Sequence, residues 1–201
     1  MVKNFFLPIL FLLVVSCGDD AETNHRKDSI RKDSIARDSI AQNFSEICSG
    51  GICITLPKHF IPVFDLHPDA MLQFSDSQNE EYLIVIDEDK KQFLDSVPMM
   101  DYYNSKADAE TNYRSYWKEN MKTSLKNMYD VDESDFSSKN ANIKLMSFMG
   151  QLESVPEPVA YYMAFVEGKT KMYVMTAWTL ESQRDAHEQE LLNMLTSFRE
   201  Q

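Results

Sequence analysis

Hydrophobic and polar positions fall into three regimes along this chain. The first is a nearly continuous apolar run from Phe5 to Val15, preceded by Lys3. It is shorter than the ~20 apolar residues that cross a bilayer as a helix. A basic residue, a short apolar core and small residues behind it are instead the layout of a secretory signal that is removed. The second regime repeats itself: Lys27-Asp28-Ser29-Ile30, Lys32-Asp33-Ser34-Ile35, Arg37-Asp38-Ser39-Ile40, a period of five residues. At ~100° per helical residue, successive isoleucines would be turned by roughly 140°, so they never build one apolar face. Asp28 with Lys32 and Asp33 with Arg37 form acid-before-base pairs at i,i+4, each worth a few tenths of a kcal/mol. The expectation is a polar tether, coil or fraying helix, spanning on the order of 30 Å.

The third regime, beginning near Phe44, is that of a folded domain. Ile52, Ile54 and Leu56 alternate with Cys53 and Thr55 and stop at Pro57, which predicts a strand. Met71 to Phe74 and Tyr82 to Ile86 predict two more, and Lys90 to Leu94 a short helix. Ser105, with Asp108 three residues on, predicts the cap of a long helix. Its buried stripe would run Tyr113, Trp117, Met121, Leu125 and Met128. Asp130 to Asp135 reads as an acidic loop, and Ile143 to Leu152 as a strand. Val159 to Val166 and Met172 to Leu180 then predict a hairpin across Glu167-Gly168-Lys169-Thr170. Both alternating sets of its first strand are apolar, so it should be covered on both faces. Ser182, with Asp185 three residues on, predicts a final helix whose stripe is His187, Leu191, Met194, Leu195 and Phe198. The fold class expected is α+β, an α/β/α sandwich with a mostly antiparallel sheet flanked by helices.

The segments so read are residues 1–17, a signal; 18–43, a charged repeat tether; and 44–201, one domain. The composition, 43% hydrophobic and 11% aromatic, is that of a globular protein. The net charge of −12 argues against a nucleic-acid partner, since neutralising phosphates takes clustered Lys and Arg.

The sequence has no G-x-S-x-G, H-E-x-x-H, phosphate loop or dinucleotide fingerprint. No catalytic residue and no cofactor is expected. Asp65-Leu66-His67-Pro68-Asp69, with His59 upstream, is the sharpest local cluster. Asp65, His67 and Asp69 would hold a divalent ion if the loop curled; as a Pro-broken turn they would bond locally instead. His187 reads as a core or interface residue rather than a ligand. Met146 with Met149, and Met172 with Met175, sit at i and i+3 on strands, so neither pair faces one side and both read as core filler. Arg114, Lys118, Lys122 and Lys126 step along one flank of the long helix, a basic ridge in an acidic protein. With Met99 and Tyr103 before that helix they form a possible partner surface; otherwise they are a solvated face.

Three resemblances add to this reading. Val14-Val15-Ser16-Cys17 resembles the bacterial lipobox, which implies a diacylated Cys17 as the new N-terminus. That would hold the protein on a membrane, because two acyl chains anchor stably where one is marginal. It would also leave Cys48 and Cys53 as an even pair around Ser49-Gly50-Gly51-Ile52. That spacing is compatible with a disulfide-linked hairpin, the alternative being a redox or metal pair. Gly18-Asp19-Asp20-Ala21-Glu22 resembles the surface-export signal of lipoproteins in Bacteroidota-type bacteria, and equally a plain acidic linker. The resemblance implies the outer membrane, with the domain on its periplasmic or outer side.

From Ile52 to Phe198 the chain resembles the PsbP-like fold, shared by the photosystem extrinsic protein, Mog-type Ran-binding proteins and DcrB-type bacterial lipoproteins. The carriers are Ile52-Cys53-Ile54-Thr55-Leu56-Pro57, the hairpin from Phe74 to Asp87, the long helix, and Ala160 to Leu180 leading to Leu195-Thr196-Ser197-Phe198. The resemblance implies an accessory or binding role without catalysis. The function expected is therefore that of an envelope lipoprotein with an unidentified envelope-protein partner. A small-ligand or divalent-metal-binding lipoprotein is the alternative, and a hydrolase the third.

Overall fold

Two consecutive glycines dictate the first folded element. In the computed structural model, which describes residues 43–153 and 155–201, Gly50 and Gly51 take φ of 59° and 87°. A two-residue type I′ hairpin turn requires positive φ at both positions, and glycine adopts it without steric cost. The turn joins β1 (Phe44–Ser49) to β2 (Ile52–Pro57) and sets Cys48 opposite Cys53. Those two cysteines form a disulfide, with Cα atoms 4.1 Å apart. Replacing both with serine is expected to cost about 2 kcal/mol, the closure entropy of so short a loop. A lowered urea midpoint at unchanged slope checks it. The signal segment, Cys17 and the tether up to residue 42 lie outside the described residues.

The main sheet has seven strands in the order β3 (Ile61–Pro62), β4 (Leu72–Asp76), β5 (Glu81–Asp89), β9 (Lys171–Leu180), β8 (Val159–Glu167), β7 (Asn142–Gln151) and β6 (Asn127–Ser137). Every neighbouring pair is antiparallel. A short last strand, β10 (Arg199–Glu200), returns to β2 and completes a three-stranded sheet with β1. Within the domain the described residues add the helices α1 (Lys90–Ser96), α2 (Ala109–Ser124) and α3 (Arg184–Thr196).

The central strands carry two cores because both their faces are apolar. Ala160, Tyr162, Ala164 and Val166 of β8 pack with Leu191, Met194, Leu195 and Phe198 at α3, and with Ile52, Ile54 and Leu56 of β2. Val159, Tyr161, Met163 and Phe165 pack with Tyr113, Trp117 and Met121 of α2 and Phe93 of α1. The sandwich is therefore α2 and α1, the seven-stranded sheet, then α3 with the small sheet. Met146 and Met149 lie in opposite cores, as do Met172 and Met175, which follows from the two-residue period of a strand.

Four sequence expectations are corrected. The cap of α2 is Asp108, whose side chain accepts from Thr111 N at 2.8 Å, not Ser105. Residues 104–107 instead form a turn held by Asn112, whose Oδ1 accepts from Asn104 N at 2.9 Å. Met128 belongs to β6 rather than to the helix stripe, since α2 ends at Ser124. Asp130 to Asp135 is strand: Asp132 to Asp135 pair with Ser147 to Lys144 of β7, beyond an irregularity between Tyr129 and Asp132 that holds Asp130 and Val131. Finally, α3 starts at Arg184 with no side-chain cap bond, behind a 3-10 turn over Glu181–Gln183 that contains Ser182.

Candidate functional site

Between α3 and the β4–β5 hairpin, five ionisable side chains converge. Glu81 opens β5, and its odd position puts it on the same sheet face as Leu83 and Val85, beneath α3. Glu80, immediately before it, takes a positive φ of 53°, which closes the turn from Asp76 and aims Glu81 inward. Opposite, His187 and Glu190 sit one helical turn apart on α3, so they share a face. His59 comes from the segment after β2, and Asp76 ends β4.

The distances are those of one constellation. His187 Nδ1 lies 2.9 Å from Glu81 Oε1, and His59 Nε2 lies 3.8 Å from Glu81 Oε2, 3.8 Å from Asp76 Oδ2 and 3.3 Å from Glu190 Oε1. Two overlapping triads, His59–Asp76–Glu81 and Glu81–His187–Glu190, each have all ligand atoms within 4.8 Å of one another. Glu81 is fully buried, and neither of its oxygens receives a hydrogen bond; the approach of His187 is one of distance, not of alignment. Burial, and then the charges of Glu190 and Asp76, push the Glu81 carboxyl up to about 8 from the ordinary 4.5. Asp76 is also held locally, accepting from Gln78 N at 3.0 Å and Asn79 Nδ2 at 2.7 Å.

The Asp65–Asp69 loop is organised differently. Gln73 Oε1 accepts from Leu66 N at 2.8 Å and His67 N at 3.0 Å, while Gln73 Nε2 donates to His67 O. Asp69 N donates to His67 Nδ1 at 3.2 Å, so that ring nitrogen serves the turn. Among the described residues, the groups able to share an ion do not include Asp65, His67 or Asp69. His59, which precedes that loop in sequence, faces away to Glu190 and Glu81.

The basic ridge of α2 meets acids of its own chain. Arg114 lies 3.2 Å from Glu133, Lys118 2.6 Å from Glu133, and Lys122 2.7 Å from Glu119. Edge strand β6 thus answers much of the charge of the helix beside it. Lys126 at the end of the ridge is exposed and gives its backbone N–H to Gln151. Met99 is 77% exposed and Tyr103 36%. Behind them a cavity of about 310 Å³ is lined by Glu88, Phe93, Val97, Met100, Tyr102 and Tyr116. Glu88 accepts from Tyr113 OH at 2.9 Å, and burial raises its carboxyl above the ordinary range.

Sequence reasoning did not find Glu81, Asp76 or Glu190, and read His187 as packing. A His-x-x-Glu step on the last helix and a glutamate opening an apolar strand were the available signals. No family model matches the sequence, and no curated protein matches it. Among solved structures the chain is similar to the solution structure of cyanobacterial PsbP from Synechocystis sp. PCC 6803. The two are 14% identical with a TM-score of 0.53, over 79% of this chain and 93% of that one. Lesser likenesses are to PA94 of Pseudomonas aeruginosa, 13% identical at TM-score 0.42 over 76% of this chain and 96% of that one, and to LpqN of Mycobacterium tuberculosis, involved in cell envelope biogenesis. For LpqN the identity is 10% and the TM-score 0.43, over 81% of this chain and 95% of that one. The fold, mixed α+β with two antiparallel sheets and three helices, is PsbP-like.

Proposed function

We propose that this protein is a lipid-anchored accessory component of a bacterial envelope, acting by binding rather than by catalysis. The observation that carries the reading is Val14-Val15-Ser16-Cys17, a lipobox-like site followed by a charged five-residue repeat and then the domain. Acylated Cys17 holds the chain at the outer membrane, and the repeat sets the domain away from the lipid surface. Among the described residues no helix is long and apolar enough to cross a membrane, which accords with anchoring through the N-terminus. An envelope protein is the partner, met at Met99, Tyr103 and the Lys126 end of the α2 ridge.

The test is metabolic labelling with a fatty acid analogue, followed by membrane fractionation. The wild-type chain is expected to carry label and pellet with the outer membrane. Cys17→Ala should lose the label and leave an uncleaved precursor, because the lipobox cysteine is where processing begins. An unlabelled wild-type chain overturns the reading.

A second reading, small-ligand binding, is favoured by the cavity at Tyr102 and Tyr116. Its volume lies at the small end of the usual ~300–1,000 Å³ for ligand sites.

A further inference from the structure

We propose that Glu81, His187 and Glu190, joined by His59, bind a divalent transition-metal cation of the Zn²⁺ class. The inference names a ligand for the candidate site and stands independently of the lipid anchor.

Geometry is the first ground. A four-coordinate ion with ligand bonds of ~2.0–2.1 Å places neighbouring donor atoms about 3.3 Å apart. The His187 Nδ1 to Glu81 Oε1 separation is 2.9 Å, and Glu81, His187 and Glu190 offer ligand atoms all within 4.8 Å of one another; His59 Nε2 reaches this set at 3.3 Å from Glu190 Oε1. These donors are offered by rigid elements: Glu81 by the first residue of a central-sheet strand, His187 and Glu190 by consecutive turns of a helix packed on that sheet.

The second ground is Glu81 itself. A fully buried carboxylate normally accepts several hydrogen bonds, and this one accepts none while its oxygens face two imidazoles. The side chains around it add negative charge, from Asp76 and Glu190, rather than neutralising it. Metal-free, the Glu81 carboxyl is left without partners beside two further carboxyl groups; a dication supplies the missing bonds and favours all three as carboxylates.

Access is the third ground. The side chains of His59 and Glu190 are 44% and 30% exposed, whereas Glu81 is sealed beneath them. An ion can therefore enter from solvent. Two imidazoles among the donors favour Zn²⁺ and its first-row neighbours over Ca²⁺ and Mg²⁺, which prefer oxygen alone. Asp76, already engaged by Gln78 and Asn79, stands 3.8 Å from the same His59 Nε2 and is left outside the donor set.

The ligands come from the segment after β2, the β4–β5 turn and the last helix, so the ion would clasp α3 to the sheet. The full-length chain, purified in detergent with its disulfide intact and stripped by chelator, is titrated with Zn²⁺ against a chromophoric competitor. Thermal unfolding is followed in parallel. One tight equivalent is expected. At a hundredfold excess over Kd the Tm should rise by about 5–10 °C. Glu81→Gln and His187→Gln should each weaken binding by about 100-fold or more, with Asp65→Asn as the control that leaves it unchanged. The proposal is overturned if Zn²⁺ fails to bind at one equivalent, or if both Glu81→Gln and His187→Gln bind as tightly as the parent. Competition by Ca²⁺ at equal concentration overturns the assignment to a transition metal. Loss of binding in Asp65→Asn moves the site to the other loop.

Discussion

Glu81→Gln is expected to stabilise the metal-free domain by about 4 kcal/mol above pH 8, and by nothing measurable near pH 4. The sign follows from where the proton sits. In the folded protein the Glu81 carboxyl titrates at about 8, raised by burial and then by Glu190 and Asp76. In the unfolded chain it titrates near 4.5. Between those values the folded state holds a proton that the unfolded state has released, so stability falls as pH rises and levels off beyond the folded value. Below 4.5 both states are protonated and the contribution is fully present. Glutamine keeps the volume, never ionises, and removes this slope. His59, His187, Asp76 and Glu190 also face the group and are present in both proteins, so the difference between the two unfolding curves reports the loss of the Glu81 carboxyl. Urea unfolding in chelator from pH 4 to 9 makes the measurement. Parallel curves would overturn the account of a proton held on Glu81 in the folded state.

Phe198→Ala is expected to cost about 3–5 kcal/mol, a large share of the ~5–15 kcal/mol that holds an ordinary domain. Phe198 is 1% exposed, follows α3 directly, and packs its ring 5.2 Å from that of Tyr173 on β9. It belongs to the core that seats α3 on the sheet. The neighbouring residues add polar fastening: Thr55 N donates to Ser197 Oγ at 2.8 Å and Gln201 N to Gly51 O at 2.8 Å. Removing the ring therefore leaves a cavity under the helix that carries His187 and Glu190. The urea midpoint should drop at unchanged slope. Phe136→Ala on the exposed edge strand should stay within about 0.5 kcal/mol. Equal effects at the two positions would remove the account of how α3 is held.

Periodicity revealed the parts of the fold that bury their own pattern. Tyr113, Trp117 and Met121 announce α2, and the doubly apolar β8 announces a strand covered on both sides; each is a local signal with a local reader. Strand β6 was hidden because nearly all its residues are exposed and many are acidic. Its strand character comes from pairing with β7, which no property of residues 130–135 encodes. Helix starts were misplaced by a few residues because Ser105 and Asp108 are both good caps, as are Ser182 and Asp185 by sequence. At α2 the turn that Asn112 holds leaves Asp108 as the cap, and at α3 the 3-10 turn places the start at Arg184 with neither residue capping. The candidate site was the least legible feature. Its donors are spread from His59 to Glu190, whereas the sequence cluster at Asp65, His67 and Asp69 looked stronger because its members are adjacent.

Edge strand β6 has a further consequence, for crowding. Among the described residues its outer side is the unpaired rim of a seven-stranded sheet, and an open rim eleven residues long is a template on which another chain can add. Asp130, Asp132, Glu133 and Asp135 line it, and the irregularity between Tyr129 and Asp132, with Asp130 at a positive φ of 53°, breaks its regular spacing. Two such rims brought side by side would set carboxylates against carboxylates. The acids that pair with Arg114 and Lys118 within one molecule thus also keep neighbouring molecules apart, a property of value to any protein concentrated on a two-dimensional surface.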